Sequence, residues 1–156
     1  MAKVEVETPK DLAAYVGKEI GVSDWVSITQ ERINQFADAT GDHQWIHVDP
    51  ARAAAELPSR STIAHGFLTL SLLSTLIRES IRFTGLRMAI NYGLNRVRFV
   101  SPVPSGSRIR ALITLQSVDA VSDGFQVTWQ ATIEREGNDK PACVADWIVR
   151  YYPVSA

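Results

Sequence analysis

Ten residues, Gly41 to Pro50 (GDHQWIHVDP), hold two carboxylates, Asp42 and Asp49, and two of the three histidines, His43 and His47. A free Asp titrates near pH ~4 and a free His near ~6.5. At neutral pH one can take up a proton while the other passes one. Apolar neighbours, here Trp45 and Ile46, draw such values toward neutrality. A second group, Ala64-His65-Gly66-Phe67, opens a long apolar run. The first N–H groups of a helix have no intrahelical acceptor. Gly66 has no side chain, so a ligand carbonyl can come close to that backbone. One donor aimed at an oxygen that gains charge in a transition state lowers the barrier by about 3 kcal/mol. An acid–base pair plus such a donor is equipment for chemistry beside a carbonyl group.

Each of these residues also has a plainer role. Asp42 is a common turn residue, and Asp49 before Pro50 suits a helix N-cap. His43 reads as a surface loop residue. His65 either orients the helix start or the substrate, or packs structurally. Asp42, His43, His47 and His65 are also a conceivable metal set. His43 and His47 share a face only if the segment is helical, and Gly41 and Asp49-Pro50 argue for an irregular loop, so no metal is expected.

The elements that must position these groups are legible from periodicity. Glu19 to Val26 reads as a short strand. In SITQERINQFADATG, Ile33, Phe36, Ala37 and Thr40 fall on one helical face. Ser27 or Thr29 would cap that helix, and Gly41 would end it in a left-handed conformation. A short helix follows Asp49-Pro50, and LPSRS breaks it. A third helix is expected from Ala64 to about Ile81. Its Leu68, Leu70, Leu72, Leu73, Leu76 and Ile77 point in nearly all directions, as in a helix surrounded by protein.

After Gly85 the pattern changes to period two. Val97 and Phe99 alternate with Arg96 and Arg98, Ile109 to Leu115 alternate with Arg108 and Arg110, and Val127 to Ile133 follow the same rule, before a last strand at ACVADWIVRYY. Strands in succession without intervening helices pair antiparallel. The layout is α+β, a curled antiparallel sheet around one long helix. The four arginines read as a solvated face, with the phosphates of a ligand as the sharper alternative. Trp129 and Trp147 read as core or interface residues.

Composition narrows the function further. The 156 residues, with net charge −1 and one cysteine, Cys143, suit one domain over residues 1–156 with no disulfide framework or cysteine zinc site. The near-zero charge gives no pointer to nucleic acid or an anionic membrane. The stretch Phe67 to Ile77 is too short to cross a bilayer, and the N-terminus has no signal-peptide pattern, so a cytoplasmic location is expected.

FADATGDHQWIHVDPARA followed by AHGF resembles the signature of the MaoC-like dehydratases, the (R)-specific enoyl-CoA hydratases, and in particular their NodN-like branch. Phe36, Thr40, Gly41, Asp42, Ile46, His47 and Ala53 fit the pattern, as does His65-Gly66. The resemblance implies a hot-dog fold, usually dimeric. It also implies syn addition of water to trans-2-enoyl-CoA, with Asp42 and His47 activating the water and the Gly66 N–H polarising the thioester. Gln44-Trp45 stands where the family has Asn-Pro: the amide sits on a longer stem, and a bulky indole replaces a small ring. Gln44, Trp45, His65 and Phe67 are the expected substrate contacts. An acyl-CoA thioester brings its own activating group, so no cofactor is expected, and the edges of a curled sheet point to a homodimer. Two alternatives stand beside this reading. One is an acyl-CoA thioesterase, disfavoured because Phe67 to Ile77 carries no carboxylate. The other is a non-catalytic acyl-thioester binder.

Overall fold

The structure is a computed structural model and describes residues 4–155. The N-terminal part runs through β1 (Val4–Val6), a 3-10 helix (Pro9–Tyr15), β2 (Glu19–Val22) and β3 (Val26–Ser27). Five helices follow, α1 (Gln30–Thr40), α2 (Trp45–Val48), α3 (Pro50–Glu56), α4 (Gly66–Ser71) and α5 (Leu73–Ser80). The C-terminal half holds β4 (Ile81–Phe83) and four longer strands, β5 (Leu86–Phe99), β6 (Arg108–Val121), β7 (Gly124–Arg135) and β8 (Cys143–Pro153). The main sheet has the order β2-β6-β7-β8-β5, with β3 also paired to β6. Its pairings are antiparallel. β1 and β4 form a separate parallel pair.

The period-two reading holds in β6 and β7 but not in β5, an edge strand where Phe99 is 46% exposed and Val97 only half-buried. Ile109, Ala111, Ile113 and Leu115 of β6 are buried, as are Val127, Trp129, Ala131 and Ile133 of β7. They meet Leu73, Leu76 and Ile77 of α5 in one core. Trp129 is fully buried, and its indole N–H donates to the Tyr151 hydroxyl at 2.9 Å. Arg108 and Arg110 face outward and pair across the strands with Glu136 and Glu134. Arg110 also lies 4.5 Å above the Trp25 ring.

Four further expectations need correction. The strand expected over residues 19–26 is two pieces, β2 and β3, because at Ser23 the side-chain Oγ takes the Ala111 N–H of β6 at 2.9 Å in place of a backbone carbonyl. The stretch expected to be irregular contains the helical turn α2, closed by His47 N–H to Gln44 C=O and Asp49 N–H to Trp45 C=O. The long helix is two helices that meet at Leu72. There Ser71 Oγ donates to Leu68 C=O at 2.8 Å, and Thr75 N–H bonds Leu72 C=O three residues back. A serine that competes for the carbonyl ladder bends a helix without proline or glycine. Finally, that helix is not enclosed on every side: Phe67 is 70% exposed.

Candidate active site

α1 sets the first side of the site. Thr29 Oγ1 accepts the Arg32 N–H and caps its start. Gly41, with φ of 78°, ends it in the left-handed region, which a residue without Cβ reaches freely. The chain thereby turns into Asp42, whose Oδ1 accepts the Gln44 N–H at 3.3 Å. His47 then lies on α2, buried, two residues before the Asp49 cap of α3.

Both histidine tautomers follow from their partners. His47 Nδ1 lies 2.6 Å from Ile63 C=O. A carbonyl only accepts, so Nδ1 carries the proton and Nε2 presents a lone pair. His65 Nε2 lies 2.9 Å from Asp42 C=O, so by the same rule its Nδ1 carries the lone pair, and that atom is buried without a partner among the described residues. The two rings stack at 3.8 Å. Burial pushes the His47 pKa below 6.5, and the neighbouring His65 adds to that. The bond to Ile63 and the charge of Asp42 oppose the shift without reversing it. Neutral His47 is therefore the favoured form near pH 7, with a base in Nε2.

One side-chain atom each from Asp42, His47 and His65 falls within 4.8 Å of the others. The two ring planes are stacked and only 24° apart. Planes so nearly parallel do not converge within the ~2 Å of a metal–nitrogen bond. The cluster suits a shared water or proton better than a chelated ion.

Beside the cluster is a cavity of about 300 Å³, lined by His47, Gly66, Thr69, Phe99 and Ser101 among others. Gly66 is the first residue of α4, so its N–H has no intrahelical acceptor. The Phe99 ring lies over it, and a Cβ at Gly66 would come within 3.0 Å of that ring. Space at Gly66 is thus limited to what a hydrogen leaves.

His47 and Gly66 both line this opening, and Asp42, outside the lining, lies within 4.8 Å of His47 and His65. The other expected contacts are placed differently. Gln44 is exposed and caps α2 through its backbone. Trp45 is half-buried under the Arg52 guanidinium at 4.1 Å, outside the cavity lining, and Arg52 is itself held by Glu56 at 3.0 Å. His65 is buried behind the cavity and ties Asp42 to the head of α4. Phe67 points outward, edge-on to Phe99. His43 pairs at the surface with Asp38, which raises its pKa.

Sequence reasoning missed three supports. Gln30 Nε2 donates to His47 C=O at 2.7 Å, and Gln30 Oε1 accepts from the buried Thr62 hydroxyl. Phe99 forms the cavity wall beside Gly66. An amide in a first helical turn and a threonine between breaks carry no signal of pairing across 32 residues. Phe99 carries in sequence only the signal of an alternating strand residue.

A sheet curled over a central helix, with an Asp–His pair beside a cavity that a helix-head glycine lines, describes a class of hydro-lyases. Residues 11–136 match the MaoC like domain family, so the chain belongs to the MaoC-like dehydratase family, and it is a dehydratase with the hot-dog fold. It is 58% identical to 3-hydroxyacyl-thioester dehydratase Z of Mycobacterium tuberculosis, over 93% of this chain and 96% of that one. It is 49% identical to Nodulation protein N of Rhizobium meliloti, over 88% of this chain and 87% of that one. The unliganded R-hydratase of Pseudomonas aeruginosa shares the fold, with a TM-score of 0.70 at 22% identity, covering 89% of this chain and 83% of that one.

Proposed function

We propose that the protein catalyses the reversible syn hydration of trans-2-enoyl-CoA to (R)-3-hydroxyacyl-CoA. The observation that carries this reading is a His47 ring whose Nδ1 proton is fixed by Ile63, with one ring nitrogen within 4.8 Å of an Asp42 carboxylate oxygen, at the cavity that His47 and Gly66 line. The enoyl thioester lies in the cavity with its carbonyl oxygen at the Gly66 N–H. Asp42 and His47 hold one water on one face of the double bond. The water oxygen bonds to C3 while its proton passes to the pair, and the displaced electrons move toward the thioester oxygen. A proton from the pair then reaches C2 on the same face, so water is added with nothing left over. The name of the 58% identical relative, a 3-hydroxyacyl-thioester dehydratase, supports the same chemistry run in reverse.

The working unit in this reading is a cytoplasmic homodimer. β5 is an edge strand of the main sheet and leaves Met88, Ile90, Tyr92 and Leu94 exposed. An uncovered apolar edge of this length is a pairing surface. Sedimentation at rising concentration tests this, and a monomer at every concentration refutes it.

Loss of enoyl absorbance on mixing with crotonyl-CoA tests the reaction, and chiral analysis of the product tests its hand. Asp42 is exposed, so Asp42→Asn leaves the fold intact and lowers kcat by roughly 10²–10⁴-fold. Full activity in Asp42→Asn overturns the mechanism. Thiol release without hydration identifies a thioesterase instead, and binding without either change identifies a carrier.

A further inference from the structure

His65 touches every part of the site without lining its cavity. It directly precedes Gly66 at the head of α4. Its ring stacks on the His47 ring at 3.8 Å and lies tilted against Phe36 of α1 at 4.9 Å. Its Nε2 donates to Asp42 C=O at 2.9 Å, across 23 residues of chain. That bond is the short one at Asp42. The Asp42 N–H reaches Thr40 Oγ1 only at 3.4 Å, and Asp42 Oδ1 accepts the Gln44 N–H at 3.3 Å. Both of those partners are two residues away in sequence, so they shape the loop without fixing it in place. His65 is what ties the Asp42 backbone to a distant element.

Packing alone does not account for a histidine here. His65 is 3% exposed, and its Nδ1 lone pair has no partner among the described residues. An apolar ring fills such a space without orphaning a polar atom, whose desolvation goes uncompensated. Nor does the side chain cap its own helix, although His65 holds the N-cap position of α4; an N-cap side chain ordinarily accepts a helix N–H. What imidazole combines at this place is a donor for the Asp42 carbonyl and a flat ring that covers one face of His47. A covered face keeps water off the ring and disfavours its charged form. Burial is the largest cause of the lowered His47 pKa, and of the titratable groups that act on it His65 lowers the value while Asp42 raises it.

We propose that His65 is a positioning residue for the hydration step, holding Asp42 in place through its backbone carbonyl and shielding one face of His47 with the stacked ring. This rests on the hydratase reading only for its turnover assay. Two variants separate the two roles. His65→Phe keeps a ring and loses the donor. Its kcat for crotonyl-CoA falls roughly 10- to 100-fold on the alkaline plateau, with KM within about threefold of the parent. The acid midpoint of its kcat/KM stays in place, and its Tm is unchanged or higher because the orphaned lone pair is gone. His65→Gln keeps an amide donor at about the reach of Nε2 and loses the ring. Its plateau kcat stays within about threefold of the parent, and its acid midpoint rises because water reaches His47. Nitrogen NMR of the parent protein reads the same geometry without turnover or substitution: His65 is the Nε2–H tautomer and His47 the Nδ1–H tautomer.

Parent kcat in a folded His65→Phe overturns the proposal, and a lowered Tm beside it makes His65 a packing residue. An acid midpoint that does not move in His65→Gln overturns it too, as does a fall in kcat there equal to that in His65→Phe. The Nδ1–H tautomer at His65 overturns it even where neither variant folds. Loss of the hydratase reading shows itself separately, as a parent protein that does not hydrate crotonyl-CoA while the two tautomers, and an upward-shifted His47 titration in the NMR spectra of His65→Gln, still stand.

Discussion

Gln30 is the most informative residue to perturb, because it joins three pieces of the site and touches none of the reacting groups. Its side-chain amide holds the His47 carbonyl at 2.7 Å and accepts from the Thr62 hydroxyl. Thr62 is only 1% exposed. Gln30→Met keeps the length of the side chain and removes both bonds. The lost bond to His47 costs about 1 kcal/mol, and the Thr62 hydroxyl left dry and unpaired costs about 1–3 kcal/mol more. A total near 3 kcal/mol lowers Tm by roughly 6–12 °C in a domain of this size. The catalytic effect follows from α2, which is only four residues long and has His47 as its one buried side chain. Without the Gln30 anchor, His47 drifts relative to Asp42, and kcat/KM falls by roughly 10- to 100-fold. Thermal unfolding followed by circular dichroism and a crotonyl-CoA hydration assay read the two effects. Gln30→Met combined with Thr62→Val recovers part of the lost stability, because removing both partners costs less than orphaning one. A Tm within about 1 °C of the parent, with unchanged kcat/KM, refutes the reasoning.

The pH dependence carries a definite sign. The folded pKa of His47 lies below its ordinary 6.5, so the unfolded chain takes up this proton first as pH falls. Its contribution to stability is full above about 6.5 and is lost as pH falls from there through the lower folded value. The acid limb of kcat/KM has its midpoint below 6.5 for the same reason, and a midpoint above 6.5 contradicts it. Tyr151→Phe leaves the fully buried Trp129 indole N–H without its acceptor at 2.9 Å. That loss costs about 1–3 kcal/mol, read as a lower Tm with little change in substrate preference.

What was legible in the sequence is what local chemistry dictates. The strand alternation at Ile109 to Leu115 and Val127 to Ile133, the Thr29 and Asp49 caps and the Gly41 terminus each depend on one residue and its near neighbours. Asp42, His47 and Gly66 stand out in the sequence because their spacing matches a known signature, and the structure puts His47 and Gly66 on one cavity with Asp42 within 4.8 Å of His47. The break at Leu72 was not, because Leu72 itself favours helix and the cause is the Ser71 hydroxyl taking the Leu68 carbonyl. The turn α2 was hidden for a related reason: its first residue, Trp45, stands where the family pattern has a proline, the usual marker of a helix start. The position of Trp45 under Arg52 depends on a cation–ring contact seven residues away in sequence, which no apolar pattern reports.

The strand order bears on how the chain is made. β8 lies between β7 and β5 in the sheet, and Phe99 at the end of β5 pairs with Cys143 at the start of β8. A ribosome delivers all of β5 before the first residue of β8 exists. Until β8 arrives, β5 has no neighbour on either flank, and Ile90, Tyr92 and Leu94 ride on a ribbon with free amides on both sides. Such species stick to one another or to chaperones. Growing polypeptide is therefore most vulnerable in the interval set by residues 100–142, and an early stop codon in β8 strands a whole β-strand rather than trimming a tail.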